Sequence, residues 1–309
     1  MELFRFKKDI PFMSYGKATT AISLITFILA IFFMFSKGLN LSVEFTGGTL
    51  MEVSYSQAVD LNKIRYQLEN QGLEQAQVQN LDSANNVMIR LQNKKSINSA
   101  SLSNQVFAII STDGPNPQLK SVEFIGPEVG QDLVTNGLLA MLFVCIGIMT
   151  YLAMRFEWRF AIAAILANLH DVVIILGCFA FFQWEFSLTV LAAVLAVLGY
   201  SVNESVVVFD RIRENFRTIR SGSIAQIINN AITVTMSRTV ITHGCTEMMV
   251  LSMFFFGGPS LHNFALALTI GILFGIYSSV LVASPIVIWL GVSRANLVKR
   301  VKSKEEAVV

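Results

Sequence analysis

The sequence predicts an α-helical integral membrane protein with six transmembrane helices and a small α+β domain between the first and second of them. Of the 309 residues, 53% are hydrophobic and 14% are charged, whereas soluble domains have about 25% charged residues. Six apolar runs are long enough to cross a bilayer, which takes roughly 20 helical residues. One long segment, residues 37–132, is polar and has strand-like and helix-like patterns.

The composition also excludes several classes of function. A net charge of +2 is too small to indicate a nucleic-acid-binding protein. The sequence has no phosphate-binding glycine loop of the Walker or Rossmann type and no hydrolytic motif. Its three cysteines lie inside apolar runs, where cysteine usually serves as a small buried hydrophobic residue. We therefore expect no enzyme activity, no cofactor and no metal site, and the energy for any work must come from elsewhere.

The first element is a transmembrane helix preceded by a basic segment. Residues 1–17 contain four lysine or arginine side chains, and residues 18–36 are predominantly apolar. A cleaved signal peptide is the alternative, but its apolar region would be only about 7–15 residues long and would precede an A-x-A site. We therefore expect 1–17 to be a cytoplasmic N-terminus and 18–36 to be a retained membrane anchor.

The polar segment 37–132 contains patterns for six secondary-structure elements. Their order is strand, helix, strand, strand, helix, strand, which fits a ferredoxin-like α+β sandwich. The first helix begins at Asp60, and aspartate is a residue type that caps helix N-termini. The predicted strands cover residues 49–56, 78–81, 87–91 and 119–125, and the predicted helices cover 60–70 and 96–111.

Glycines and a proline mark the two ends of this domain. We expect tight turns there, because glycine allows backbone conformations that other residues avoid. We interpret these positions as necks on which the domain can reorient relative to the membrane part. The neck residues are Gly47, Gly48, Gly126, Pro127 and Gly130.

Five further spans follow within residues 133–290. Lysine and arginine are concentrated in the loop 210–237, in the tail 291–309 and in the N-terminal segment, whereas the short turns on the other side have none. The positive-inside rule places these basic segments in the cytoplasm and residues 37–132 on the opposite side of the membrane. The predicted spans are 133–154, 160–182, 188–209, 238–256 and 264–290.

Glu204 is the least expected residue in the spans. It lies about six residues before the charged end of the fourth span, which is ~9 Å inside at 1.5 Å per residue. A carboxylate at that depth must be paired, hydrated through a cavity or protonated. Arg238 begins a polar face on the fifth span, and we expect it to be a near neighbour of Glu204. Snorkelling of Arg238 to the membrane surface is the simpler explanation for that arginine.

Other polar residues of the spans leave two interpretations open. His170 and Asp171 lie near the middle of the third span, where they form either a structural hydrogen-bonded pair or a titrating proton site. His243 and Glu247 are four residues apart and so share one helix face of the fifth span.

Charged side chains are ordinary at the membrane interface, where the fourth span ends. That end carries a motif made of Asp210, Arg211, Arg213 and Glu214.

Seven short motifs occur in a fixed order along the chain. They are EFTGGT at 44–49, GPEVG at 126–130, LHDV at 169–172, GYSVNE at 199–204, FDRIREN at 209–215, SRT at 237–239 and FGGP at 256–259. Together they resemble the SecD/SecF family of bacterial protein-export membrane proteins, which belongs to the RND transporter superfamily. The resemblance covers nearly the whole chain.

The resemblance implies a six-span protein of the bacterial inner membrane, with residues 37–132 in the periplasm. Such a protein joins a SecD subunit in a pseudo-symmetric twelve-span complex, accompanied by a YajC-like small subunit and surrounded by membrane lipid. The complex uses the proton motive force to help draw preproteins out of the SecYEG channel. The outer domain would swing on its necks as a buried carboxylate gains and loses a proton.

The proton relay of the family maps onto Glu204, with Asn203 beside it, and onto Arg238. The chain departs from the family at several positions. Glutamate replaces aspartate at Glu204 and also at Glu44 in the first neck. In the fifth span, His243 and Glu247 stand where the family has serine and leucine, which makes them secondary candidates for the relay.

Two other classes of function remain open. The first is an exporter of a small molecule or lipid from the same superfamily, although a single outer domain of about 95 residues offers little room for a substrate pocket. The second is a passive assembly factor whose buried polar groups are structural. Proton uptake measured with and without a preprotein substrate would separate these classes from protein export.

Overall fold

The computed structural model describes residues 8–73, 76–80, 84–91, 99–112 and 116–293. The predicted six-helix membrane fold with a small α+β domain is confirmed, since six helices within these described ranges are long and apolar enough to span a membrane. Parts of four predicted segments lie outside the described residues, namely 1–7 of the N-terminus, 81–83 of the hairpin, 96–98 of the second helix and 294–309 of the tail.

The outer domain lies, in chain order, between the first and second membrane helices. In chain order they are α1 Gly16–Ser36, β1 Asn40–Leu41, α2 Val43–Thr46, β2 Gly48–Ser54, α3 Leu61–Asn70, β3 Gln77–Asn80, β4 Asn86–Leu91, α4 Ser99–Ser111, β5 Gln118–Ile125, α5 Pro127–Arg155, α6 Trp158–Phe182, β6 Glu185–Phe186, α7 Leu188–Thr218, α8 Ile224–Phe256, α9 Gly258–Ser278 and α10 Ser284–Trp289. A 3-10 turn at Phe12–Tyr15 precedes α1, and a π-helical turn at Ser279–Ala283 joins α9 to α10.

The predicted loop 210–237 is largely helical, so its assignment as a loop is wrong. Hydropathy marks only the part of a helix that lies in lipid, whereas intrahelical hydrogen bonds continue into water. Residues 210–218 therefore extend α7, and α8 begins at Ile224. Ser223 starts α8 with a capping box: its side chain accepts the N–H of Gln226 at 3.3 Å, and the Gln226 side chain accepts the N–H of Ser223 at 2.9 Å.

Helix α7 is the centre of the membrane part and contacts α5, α6, α8 and α9. Glycines let neighbouring helices approach closely, as is common between transmembrane helices. A Cβ atom on Gly271 of α9 would overlap Val197 of α7, and one on Gly177 of α6 would overlap Ala30 of α1. Because α7 is surrounded, polar side chains on its different faces meet different helices.

The outer domain has a four-stranded antiparallel sheet in the order β3-β4-β2-β5. This is the strand order of the predicted ferredoxin-like sandwich. Helices α3 and α4 contribute to a core that includes Met51, Leu68 and Ile89. Asp60 caps α3 as predicted, since its side chain accepts the N–H of Asn62 at 2.9 Å.

The glycines at the necks are explained by close backbone contact. Gly47 has φ +71°, and a Cβ atom there would lie 2.8 Å from Cα of Pro127. A Cβ atom on Gly130 would lie 2.8 Å from the carbonyl oxygen of Phe45, so the start of α5 packs directly on α2. Gly126 differs, because nothing lies within 4 Å of a Cβ atom at that position. Reorientation of the domain on these necks is not tested by the structure and stays a prediction.

Two further contacts attach the outer domain to the membrane part. Strand β1 pairs in parallel with β6 in the turn between α6 and α7, so that Asn40 is opposite Glu185. Arg90 of β4 forms an ion pair with Glu185, and these side chains are only 10% and 15% exposed. A cavity of about 720 Å³ lies beside this ion pair. Reorientation of the domain would therefore have to break the Arg90–Glu185 pair.

Candidate functional site

The candidate site is centred on Glu204, on the face of α7 that packs against α8. Glu204 is 5% exposed. Its Oε1 accepts a hydrogen bond from Oγ1 of Thr239 at 2.5 Å, and its Oε2 lies 3.1 Å from Nε2 of His243. Thr239 and His243 are one turn apart on α8, so a single helix face supplies both partners. The carboxyl group is thus paired inside the protein, as its depth in the span requires.

His243 is itself buried and only partly hydrogen bonded. Its ring meets Tyr200 of α7 edge to face, with ring centroids 4.9 Å apart. The hydroxyl of Tyr200 donates to Oγ1 of Thr246 at 3.1 Å. Nδ1 of His243 is buried without a hydrogen-bond partner among the described residues, and so is Oε2 of Glu247 one turn further along α8. Such orphaned polar atoms are rare in folded proteins and call for an explanation.

The expected contact between Glu204 and Arg238 is not made, so that prediction is wrong in this structure. Arg238 is exposed and, within the described part of the chain, forms no ion pair with Glu204. Successive helical residues point about 100° apart, so the face that carries Thr239 turns Arg238 away from α7. Asn203 is exposed for the same reason, being one residue before Glu204. The i, i+4 spacing of Thr239 and His243 was the signal that could have identified the true partners.

Asp171 of α6 forms a second buried site on another face of α7. It is 1% exposed, and its Oδ2 accepts hydrogen bonds from Oγ of Ser201 at 2.6 Å and from Oγ of Ser278 at 2.8 Å. Nδ1 of His170 lies 3.3 Å from its Oδ1. The sequence pointed to the acid and the histidine but not to the two serines, which come from α7 and α9.

The surroundings of Asp171 are also polar and buried. Ser205 and Ser279 are hydrogen bonded at 2.9 Å, where the π-helical turn begins. Asn168, one turn before Asp171, is 4% exposed, and neither polar atom of its amide has a partner among the described residues. π-helical turns are often found at functional sites, although this cluster fits a structural hydrogen-bond network equally well.

The charged motif at the end of the fourth span forms ion pairs at the surface. Asp210 pairs with Arg155 and lies 3.5 Å from Arg213, and Arg211 pairs with Glu214 at 2.8 Å. These side chains are partly exposed, so each pair stabilises the protein by less than about 1 kcal/mol. Among the described residues, no group of three or more histidine, cysteine or acidic side chains could hold a metal ion.

The comparison with known proteins decides the family. Residues 105–293 match the family described as protein export membrane protein SecD/SecF, C-terminal, and residues 32–59 match the SecD/SecF GG motif. The chain belongs to the SecD/SecF family. Gly47 and Gly48 of the first neck lie within the segment that matches the GG motif. Glu204, Asp171 and His243 all lie within the segment that matches the SecD/SecF C-terminal family.

Members of the family that resemble this chain are translocase subunits. The protein translocase subunit SecF of Vibrio alginolyticus is 43% identical over 99% of this chain and 98% of that protein. SecF of Pseudomonas aeruginosa is 41% identical over 94% of each protein.

Solved structures of SecDF, described as a translocon-associated membrane protein, have the same fold. SecDF from Thermus thermophilus matches with a TM-score of 0.82 and 34% identity over 93% of this chain. SecDF in the super-membrane-facing form matches with a TM-score of 0.70 and 33% identity. This chain spans 39% of the first SecDF chain, but nearly the full length of the SecF relatives.

Proposed function

We propose that this chain is the SecF-type auxiliary subunit of a bacterial Sec protein translocase. With a SecD-type subunit it uses the proton motive force to assist preprotein translocation across the inner membrane. The observation that carries this proposal is the 43% identity to a SecF translocase subunit over 99% of the chain. The protein acts as a transport component and not as an enzyme, and the SecYEG channel, a YajC-like subunit and the preprotein are its further partners.

Glu204 is the proton-carrying group in this proposal. A charge at mid-span costs about 2.5–3.5 kcal/mol, so gain and loss of a proton changes the relative free energy of alternative helix packings. One proton that crosses 100 mV yields about 2.3 kcal/mol. Asn203 and Arg238 complete the relay as the family pattern implies, and His170 with Asp171 is either a second proton station or a structural network. The outer domain, residues 37–132, transmits the resulting motion.

A polar face exposed at membrane depth supports a SecD-type partner. Asn203 on α7 and Arg238 and Thr242 on α8 are exposed, although all three belong to membrane-spanning helices. Polar groups in spans are costly against lipid and usually face protein or water. A second subunit seated on this face would cover them and would bring its own groups next to Arg238.

The proposed location is the inner membrane, with both termini in the cytoplasm and the outer domain in the periplasm. In a variant without native cysteines, a single cysteine introduced at Asn85 or Asn116 should react with a membrane-impermeant maleimide added to intact spheroplasts. A cysteine at Ser221, in the turn between α7 and α8, should react only after permeabilisation. Labelling of Ser221→Cys but not of the outer positions would reverse the proposed orientation.

Inverted membrane vesicles provide the test of the function itself. Vesicles that contain this chain and its SecD-type partner should complete translocation of an initiated preprotein faster when a proton gradient is present. The expected stimulation is tenfold or more, since about 2.3 kcal/mol per charge corresponds to a factor of roughly 50. Vesicles without the complex should show no stimulation. Proton uptake that responds to a small molecule but not to a preprotein would indicate an exporter, and no uptake at all would indicate an assembly factor.

A further inference from the structure

We propose that His243 passes protons between Glu247 and Glu204, so that these three side chains form the outer-domain half of the proton path. The inference rests on the proposed function, because it assumes that Glu204 is loaded with protons from the periplasmic side. It is carried by the contacts of His243 and does not depend on Arg238.

The order of the three groups along α8 defines the direction of the path. Helix α8 runs from Ile224 to Phe256, and its end at Phe256 lies on the side of the outer domain, as does the beginning of α7. His243 is therefore one turn, and Glu247 two turns, closer to the outer domain than Thr239. Because Glu204 contacts Thr239 and His243, a proton that arrives from the outer side reaches Glu247 first.

The two nitrogens of the imidazole ring have different surroundings. Nε2 lies 3.1 Å from Oε2 of Glu204, whereas Nδ1 is buried and has no hydrogen-bond partner among the described residues. Oε2 of Glu247 is likewise buried and unpartnered, and residues four apart on a helix are neighbours. Nδ1 of His243 and Oε2 of Glu247 are thus two unpartnered polar atoms on one helix face, and a water molecule between them would complete a hydrogen-bonded path.

Few other charged groups compete for the proton. From α7, His243 is faced by Glu204 and by the Tyr200 ring. On α8 itself the other charged residue nearby is Arg238, which is exposed on the adjacent face. The α9 side chains that cluster with Tyr200 are apolar, namely Ala265, Leu268, Ile272 and Ile276. Among these groups, His243 is therefore the basic side chain that contacts Glu204.

The transfer balances in protons. The carboxyl group of Glu247 gives its proton to Nδ1 of His243, which forms an imidazolium ring next to the Glu204 carboxylate. The ring then gives its Nε2 proton to Oε2 of Glu204, and the carboxylate becomes a neutral acid. The ring is left with its proton on Nδ1, and Glu247 is left as a carboxylate. Glu247 takes up the next proton from the outer side, and the ring returns to its starting tautomer by proton exchange with water. The three groups together carry one net negative charge before, during and after the transfer, and the imidazolium forms only between the two carboxylates.

Two conservative variants test this path. Glutamine at position 243 can place an amide N–H where Nε2 lies, so His243→Gln keeps a donor to Glu204 but cannot titrate. Glu247→Gln keeps the size of the side chain and removes its proton. Each variant should lower gradient-driven preprotein release at least about tenfold at matched amounts of complex. Loss of a proton-transfer group usually costs about 100-fold or more, and the smaller value allows for water that replaces part of the lost group's function. Cys245→Ser, at an exposed position on the same helix, is the matched control and should release preprotein at the parental rate.

A spectroscopic measurement separates proton transfer from a structural role. The chain has three histidines, so the His243 signals in ¹⁵N solid-state NMR of the membrane-embedded complex can be identified by their loss in His243→Gln. They should change between acidic and alkaline pH as the ring gains and loses a proton, and Glu247→Gln should alter that change.

Full gradient-driven release in either variant, or His243 signals that do not respond to pH, would overturn the path through His243 while the parent still responds to the gradient. A parent complex without any gradient response would overturn the proposed function, and this inference with it.

Discussion

Replacement of Glu204 by glutamine should abolish gradient-driven preprotein release while leaving the protein folded and assembled. Glutamine can still accept the hydrogen bond that Thr239 donates to Oε1, and its amide can still donate to the His243 ring, so the contacts between α7 and α8 have a neutral substitute. What the variant loses is the proton. Removal of a general acid or base usually costs a factor of about 10²–10⁴, so we expect release in the presence of a gradient to fall to the rate seen without one. The measurement is preprotein release from inverted vesicles with and without a proton gradient.

Glu204→Asp is the matched control for that experiment. It keeps the ionisable group but shortens the side chain by one methylene, which lengthens both contacts on α8. We expect this variant to retain most of the gradient response, and both variants should be compared at equal amounts of complex. A glutamine variant that responds as fully as the parent would move the relay elsewhere, with Asp171 as the next candidate. Loss of function that tracks loss of protein would instead indicate a structural role for Glu204.

Replacement of Gly47 by valine should disrupt the junction between the outer domain and the membrane part. The residue has φ +71°, and its Cβ atom would lie 2.8 Å from Cα of Pro127. Backbone strain of this kind costs roughly 1–3 kcal/mol, and overpacking against a fixed backbone adds about 1–3 kcal/mol. We expect normal membrane insertion but strongly reduced export, measured as preprotein secretion in cells together with protease sensitivity of the outer domain.

Gly126→Ala separates packing from flexibility as the reason for the glycines. Gly126 has φ −65°, which alanine adopts without strain, and nothing lies within 4 Å of a Cβ atom there. If close packing is the reason, Gly126→Ala should export normally while Gly47→Val fails. Impaired export in the alanine variant would favour the hinge interpretation, because loss of backbone freedom is the main effect of that substitution.

Local patterns were sufficient to predict the architecture. Hydropathy located six spans, because the free energy of transferring an apolar helix from water to lipid depends mainly on the residues of that helix and little on neighbouring helices. Alternating and helical patterns located the strands and helices of the outer domain, and Asp60 marked the start of α3. The C-terminal end of α7 and the N-terminal end of α8 were not predicted as helix, because these turns are amphipathic and lack the hydropathy of a membrane-spanning segment. The depth of Glu204 in its span was also sufficient to predict that its carboxyl group is paired inside the protein.

The partners of the buried acids could be recognised only in the tertiary structure. Arg238 was the expected neighbour of Glu204 because the two side chains have opposite charges, whereas the structure places Thr239 and His243 next to Glu204. Which face of α8 meets α7 depends on the rotation of both helices about their axes, and close contacts such as Gly271 on Val197 contribute to that rotation. The two serines that bind Asp171 are likewise ordinary span residues until α7 and α9 bring them together. Hydropathy and periodicity are properties of one segment, but a buried hydrogen bond between helices depends on how several segments pack at once.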